Sequence, residues 1–374
     1  MRRIIFLPLI VMIVSGCAAR QMTVKEDLYP EQRFTISNVS AKPKTINNTK
    51  SQRVKIEYSL SQDAEVSVDI YDSDDRWINS IKKDVTEKAG KNLVKWDGKD
   101  SNEELVPSGA YIYVIKAKDN AGKKTKYDPA DISKGIGLSE RELIYNKEKN
   151  KVRYILPRAA RVLIRAGIKE GPLLKTLADW EPREAGKNSE GWDGQDNAGN
   201  LITQHPDFTL FLSAYSLPDN SIIVKNNNKG FEYECAFELK TEQPRRVPRN
   251  VTGIILHPSA KQSCRKTRVP RFSIEFPEAD HDEKSVPVIA GPTTIRLSCD
   301  EQDKHLLVES RFEIICYIDN IFYFEEEQGF TPFNYRWDPQ GMTAGEHIVT
   351  FNLQSYTGAV GTKSLKVRIK GRKQ

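Results

Sequence analysis

The sequence predicts an all-β chain of three antiparallel sandwiches in tandem, with almost no helix. Two observations carry that expectation. Short runs of alternating apolar and polar residues recur along most of the chain, separated by Asp, Gly and Pro turns. In addition, the segment Val54–Asp100 finds a copy of itself 96 residues later, with no gap needed. Composition agrees: 374 residues with 38% hydrophobic and 29% charged side chains suit several small domains with modest cores, not one large enzyme core.

The N-terminus comes before any of these runs. Arg2 and Arg3 form a positive region, and Ile4 to Val14 an apolar run of about ten residues. That is too short to span a bilayer as a mature helix and has the length of a cleaved export signal. The run closes in Val14-Ser15-Gly16-Cys17, small residues followed at once by a cysteine. This resembles the lipobox of bacterial lipoproteins. The resemblance implies a signal peptide at residues 1–16, a fatty-acylated Cys17 as the mature N-terminus, and a linker over residues 17–32. One acyl chain holds a protein only marginally. The multiple acylation of that family implies a permanent attachment to the membrane. Ala18 and Ala19, with no aspartate after the cysteine, imply the outer membrane, facing either the periplasm or the outside. No other apolar stretch reaches 18 residues. The net charge of +6 loses Arg2 and Arg3 with the signal, leaving about +4, too mild to require nucleic acid as a partner.

Residues 33–130 and 131–241 are read as the two copies. Val54-Lys-Ile-Glu-Tyr-Ser-Leu60 and Val66-Ser-Val-Asp-Ile70 alternate with period two, so each buries one face. Their counterparts are Tyr154 and Leu156, then Val162 and Ile164. Phe34–Val39 and Glu142–Tyr145 supply a first strand to each copy. Trp96-Asp97-Gly98 recurs as Trp192-Asp193-Gly194. Each tryptophan is large enough to plug one end of a small sandwich. Each aspartate can accept a backbone hydrogen bond two residues on, and each glycine supplies positive φ. These elements, with Pro107-Ser-Gly-Ala-Tyr111, resemble the Ig-like domain of flagellar hook-capping proteins. The resemblance is close over residues 50–120 and looser over 140–240, where Gln204-His-Pro-Asp-Phe208 replaces the Pro-Ser-Gly-x-Tyr element. It implies an Ig-like sandwich for each copy. The N-terminal hook-assembly segment of a true hook-cap protein is missing, so a flagellar role does not follow.

Residues 242–270 read as an exposed, basic, proline-containing linker around Gln243-Pro-Arg-Arg-Val-Pro-Arg-Asn250. Residues 271–374 form the third unit, with strands at Phe272–Phe276, Thr294–Cys299, Phe312–Ile318 and His347–Leu353, and an echo of the tryptophan turn at Trp337-Asp338. This third unit resembles bacterial Ig-like modules generally. Cysteine parity faces Cys299 and Cys316 into its core. The expected bridges are Cys299–Cys316 and Cys235–Cys264, with buried free thiols as the alternative.

Catalytic motifs are wanting. The chain has no Gly-x-Ser-x-Gly elbow, Walker loop, His-Glu-x-x-His or dinucleotide fingerprint, and its five histidines stand singly. Asp72-Ser-Asp-Asp75 and Asp193–Asn200 hold oxygen donors on turns, but neither has the spacing of an EF-hand loop. Neither an enzyme nor a cofactor nor a metal is expected. Two stretches can act as contact surfaces: the basic run Lys261–Arg271, and the aromatic-acidic segment carrying Phe322, Tyr323, Phe324 and Phe330 beside Glu325-Glu-Glu327. The expected role is a lipid-anchored envelope scaffold or adhesive protein whose partner is an envelope protein or a surface polymer. Alternatives are a polysaccharide- or peptidoglycan-binding lipoprotein, and a subunit of an envelope hydrolase.

Overall fold

A computed structural model describes residues 33–133, 135–139, 141–226, 245–246, 269–301, 303–308, 311–356 and 358–371. The signal segment 1–16, Cys17, Cys235 and Cys264 lie outside the described residues. The fold is nearly all strand, arranged as antiparallel sandwiches.

The first sandwich holds β1 (Ile36–Lys42), β2 (Thr45–Asn47), β3 (Val54–Leu60), β4 (Ala64–Tyr71), β5 (Trp77–Glu87), β6 (Gly90–Trp96), β7 (Gly109–Asp119) and β8 (Lys124–Tyr127). One sheet runs β1-β3-β6, and the opposing sheet contains β7-β4-β5. Alternation does what it predicts: Val54, Ile56, Tyr58 and Leu60 of β3 join Val66, Val68 and Ile70 of β4 in one core, while Lys55 and Glu57 point to solvent. Each such fully buried side chain contributes about 1.5–3 kcal/mol.

The second copy repeats this plan with β9 (Gly137–Leu138), β10 (Arg141–Asn146), β11 (Lys151–Leu156), β12 (Ala160–Ile168), β13 (Leu173–Arg183), β14 (Gly186–Gly191) and β15 (Phe208–Ser216). Its sheets are β10-β11-β14 and β13-β12-β15-β9. Register is preserved along with sequence. Val66 pairs Ala117 across β4 and β7, and Val162 pairs Ala214 across β12 and β15. Both β5 and β13 are 11 residues long, and both ladders slip between Val66 and Val68 or between Val162 and Ile164. One buried polar cluster is rebuilt with charges exchanged. Tyr58 donates to Glu87, which Lys82 pairs; Tyr154 donates to Glu190, which Arg183 pairs.

The chain does not leave the second sandwich where the repeat ends. The next strand, β16 (Ser221–Lys225), returns to the first sandwich. There it pairs antiparallel with Gly109–Ile112 of β7 and parallel with β2. The other half of that β7 edge, Ile115–Lys118, pairs with β8. Two half-strands therefore fill one edge, and the second sandwich is inserted between them. The expected boundary at residue 241 is corrected accordingly. Ile222 and Val224 lie in the first core because their alternation continues that of β7.

A second tie follows. Arg246, expected in an exposed linker, is buried with its side chain 2% exposed. Its guanidinium reaches Asp75 at 2.8 Å, Asp128 at 3.1 Å and Asp131 at 2.7 Å, and its backbone N–H donates to the Asp75 carbonyl. Three carboxylates brought together by the first sandwich give the arginine a site that a linker composition does not reveal.

The third sandwich comprises β17 (Phe272–Glu275), β18 (Asp280–His281), β19 (Pro287–Ile289), β20 (Thr293–Cys299), β21 (Phe312–Ile318), β22 (Ile321–Glu326), β23 (Phe333–Trp337), β24 (Gly345–Ser355) and β25 (Val360–Ile369). Its sheets are β17-β20-β23 and β18-β19-β25-β24-β21-β22. Here the continuous strand β25 takes the place shared by β8 and β16 in the first sandwich, and it too pairs parallel with a short strand, β19.

The second and third sandwiches meet through side chain and backbone. Asn352, buried on the outer face of β24, accepts from the Leu173 N–H at 2.9 Å and donates to the Leu173 carbonyl at 2.7 Å. Thr362 donates to the same carbonyl at 2.6 Å, and Asn197 donates to the Thr362 carbonyl at 2.9 Å. Losing a buried partner costs about 1–3 kcal/mol. Asn352→Ala is therefore expected to speed hydrogen exchange of the Leu173 amide about tenfold or more, with the sandwich cores unaffected. Unchanged protection at Leu173 would show that the amide does not hold this contact.

Candidate docking surface

β22 is the edge strand of the six-stranded sheet, so its outer backbone groups have no strand partner within that sheet. It is entered through a two-residue turn, Asp319-Asn320, with φ of 51° and 68°, the positive pair that a tight hairpin requires. The Asp319 carboxylate pins this turn twice: one oxygen accepts the Ile348 N–H at 2.9 Å, and the other lies 2.6 Å from Nδ1 of His347. Nε2 of His347 faces the Thr343 carbonyl at 2.8 Å. Two oxygen acceptors on one imidazole favour its doubly protonated form. Burial opposes that charge, but the hydrogen bonds to Asp319 and Thr343 outweigh it and raise the pKa above 6.5. A raised folded-state pKa adds stability that is complete below the ordinary value and is lost as pH rises through the raised one. The third sandwich is thus expected to melt at progressively lower temperature as pH climbs above about 6.5. His347→Asn should flatten that slope; an unchanged slope would assign it to other groups.

A register slip between Cys316 and Tyr317 sorts the aromatic residues of β22. Phe324 turns inward, stacking on Tyr335 at 4.0 Å and packing near Phe333 and Phe351. It is half-buried, which removes it from the expected docking set. Phe322 turns outward beside Tyr317, and Ile321, Phe322 and Tyr323 remain exposed at 72%, 55% and 41%. Phe330 is also exposed but lies past the far end of the strand. It lines a cavity of about 630 Å³ with Val308, Tyr356, Lys304, Arg311 and Glu327. The four aromatics therefore divide into a strand-edge group, a core plug and a cavity wall.

The tryptophan turns are built alike. Trp96 and Trp192 are both buried, and each indole N–H donates to the carbonyl three residues on, Lys99 at 2.9 Å and Gln195 at 2.8 Å. Gly98 and Gly194 have φ of 77° and 84°. Asp193 accepts from Gln195 N–H, two residues on. The residues missed from sequence are Asp100 and Asp196. Each carboxylate accepts two backbone N–H groups of the following loop, Asn102 and Glu104 or Ala198 and Asn200. Their spacing after each Trp-Asp-Gly was the available signal. Asp72 is likewise used internally, accepting from Asp74 and Arg76.

Cys299 and Cys316 are free thiols, correcting the bridge expected between them. Parity placed both facing inward, and both touch the third core. They nonetheless belong to opposite sheets: Cys299 ends β20 opposite Phe272, and Cys316 lies mid-strand between Phe324 and Phe351. Burial raises the pKa of each thiol, as expected of packed, unreactive side chains.

Among the described residues, no three His, Cys, Asp or Glu side chains converge as a metal site. Asp179 is pushed up to about 7 by burial, with nearby Arg165 pulling the other way. It sits on β13 within the second sandwich and does not line the cavity of the third.

These sandwiches define a modular, all-β protein. Residues 44–121, most of the first sandwich, match the FlgD Ig-like domain. Similar solved structures include the fibronectin(III)-like modules of Clostridium thermocellum CbhA, at 10% identity over 90% of this chain and 94% of that one, with a TM-score of 0.20. A tetra-tandem repeat from the extending region of a large adhesion protein gives 14% identity over 90% and 74%, at 0.20. A 1.5-MDa bacterial ice-binding adhesin gives 11% over 90% and 98%, at 0.19. No curated protein matches the chain.

Proposed function

We propose that this protein is a non-catalytic scaffold of the bacterial cell envelope, held to the outer membrane by acylated Cys17. In this reading it presents the third sandwich to an envelope protein or surface polymer. Ig-like folds are typically non-catalytic. The observation that carries the scaffold reading is the way the sandwiches are joined. β16 and Arg246 tie the chain back to the first sandwich after the second is complete, and Asn352 fastens the third to the second. Linkers that let domains wander lack such ties. The presenting surface is the β22 edge, where Ile321, Phe322 and Tyr323 stay exposed beside Glu325–Glu327. Exposed apolar residues on a strand edge are a liability unless a partner covers them.

The test combines two readouts in cells. Mass spectrometry of the mature protein should find Cys17 first and acylated; an intact residue 1 or a bare Cys17 contradicts the anchor. Site-specific photocrosslinking from position 322 should capture one discrete envelope component, and I321S/Y323S should abolish capture while leaving acylation unchanged. Equal capture from exposed Lys147 of the second sandwich would contradict the docking role.

A further inference from the structure

The outer face of the first sandwich carries a row of lysines. Lys42 of β1 pairs Lys55 of β3, and Lys55 pairs Lys95 of β6, so three lysines stand abreast across three adjacent strands. All three are exposed, and none has an ion-pair partner among the described residues. Strands lie about 4.8 Å apart, and like charges directly opposite one another are destabilising. Glu57 shares the face but sits two residues along β3, opposite Leu93. Arg53 adds a further exposed cation just before Lys55.

The second sandwich is a control within the same chain. Its corresponding row reads Asn146, Lys151 and Gly191, a single charge where the first has three. The repeat preserves the core and the tryptophan turn but not this face, so the fold itself does not require the lysines. They cost stability in the isolated protein, and a flat row of cations is complementary to a flat anionic surface.

We infer that this face of the first sandwich lies on the anionic headgroups of the membrane. The choice of a membrane over a soluble polyanion rests on the anchored reading above and on chain length. Only 18 residues lie between Cys17 and Ile36 of β1. At full extension they span at most about 65 Å, so an anchored Cys17 keeps the first sandwich near the bilayer. Two weak signals, acyl chains and basic residues, then act together to orient the protein.

The experiment needs no acyl chain, so its outcome is independent of whether Cys17 is modified. The chain from residue 17 onward, carrying Cys17→Ala, is sedimented with vesicles of phosphatidylcholine alone or with one-third phosphatidylglycerol. Binding to the anionic vesicles only, weakening as salt is raised, is expected. Each basic residue near such a surface contributes about fivefold, so K42Q/K55Q/K95Q should bind roughly 100-fold more weakly. K147Q/K149Q/K187Q removes the same charge from exposed positions on the second sandwich and should retain most of the binding. Equal losses in both triple variants, or no preference for anionic vesicles, would overturn the inference. Salt-sensitive binding to soluble polyphosphate without binding to vesicles would overturn the membrane as its partner.

Discussion

Arg246→Ala is expected to destabilise the first sandwich by about 3–5 kcal/mol, the scale for removing one partner of a buried charge cluster. The variant leaves Asp75, Asp128 and Asp131 sharing a site without the guanidinium that bridged them, with Lys126 still 3.0 Å from Asp128. Arg246→Lys should recover only part of the loss, because an ammonium cannot fork to three carboxylates. Denaturant unfolding reads both. A change under about 0.5 kcal/mol for Arg246→Ala would mean that the arginine is an ordinary surface residue.

Trp96→Ala and Trp192→Ala are each expected to cost about 3–5 kcal/mol, since each indole fills one end of a core and satisfies a loop carbonyl. Trp96 packs edge-on against Tyr111 at 5.4 Å, and Trp192 packs at 5.9 Å from Phe208, the residue that replaces that tyrosine. Nesting adds a further expectation. Because β16 can pair with β7 only after the chain has passed through the second sandwich, a loss at Trp192 should lower the transition of the first sandwich as well. Two transitions, with only one of them moved by each variant, would show that the copies unfold independently.

The strands, the repeat and the tryptophan turns were legible because each is encoded locally. Alternation in Val54–Leu60 and Lys151–Leu156 fixes which face is buried, and Asp-Gly turns fix where strands stop. What was not legible depends on partners distant in sequence. Ser221-Ile-Ile-Val-Lys225 looks like any short buried strand, and nothing in it says that its neighbour is β7, 109 residues earlier at the Ile112–Ser221 pair. Arg246 sits in a run with the composition of a linker, and only the meeting of Asp75, Asp128 and Asp131 buries it. In the candidate site, exposure of Phe322 and burial of Phe324 hinge on one register slip. The Cys299–Cys316 expectation failed for a related reason: parity gives the face of a strand, not which residue of the facing sheet it meets.

The nested architecture is tested most directly by hydrogen exchange on the intact chain. The amides of Ile222 and Val224 should exchange as slowly as that of Tyr111, because β16 and β7 open together. Exchange of Ile222 and Val224 within seconds, with β7 still protected, would contradict it and return β16 to the status of a free connection.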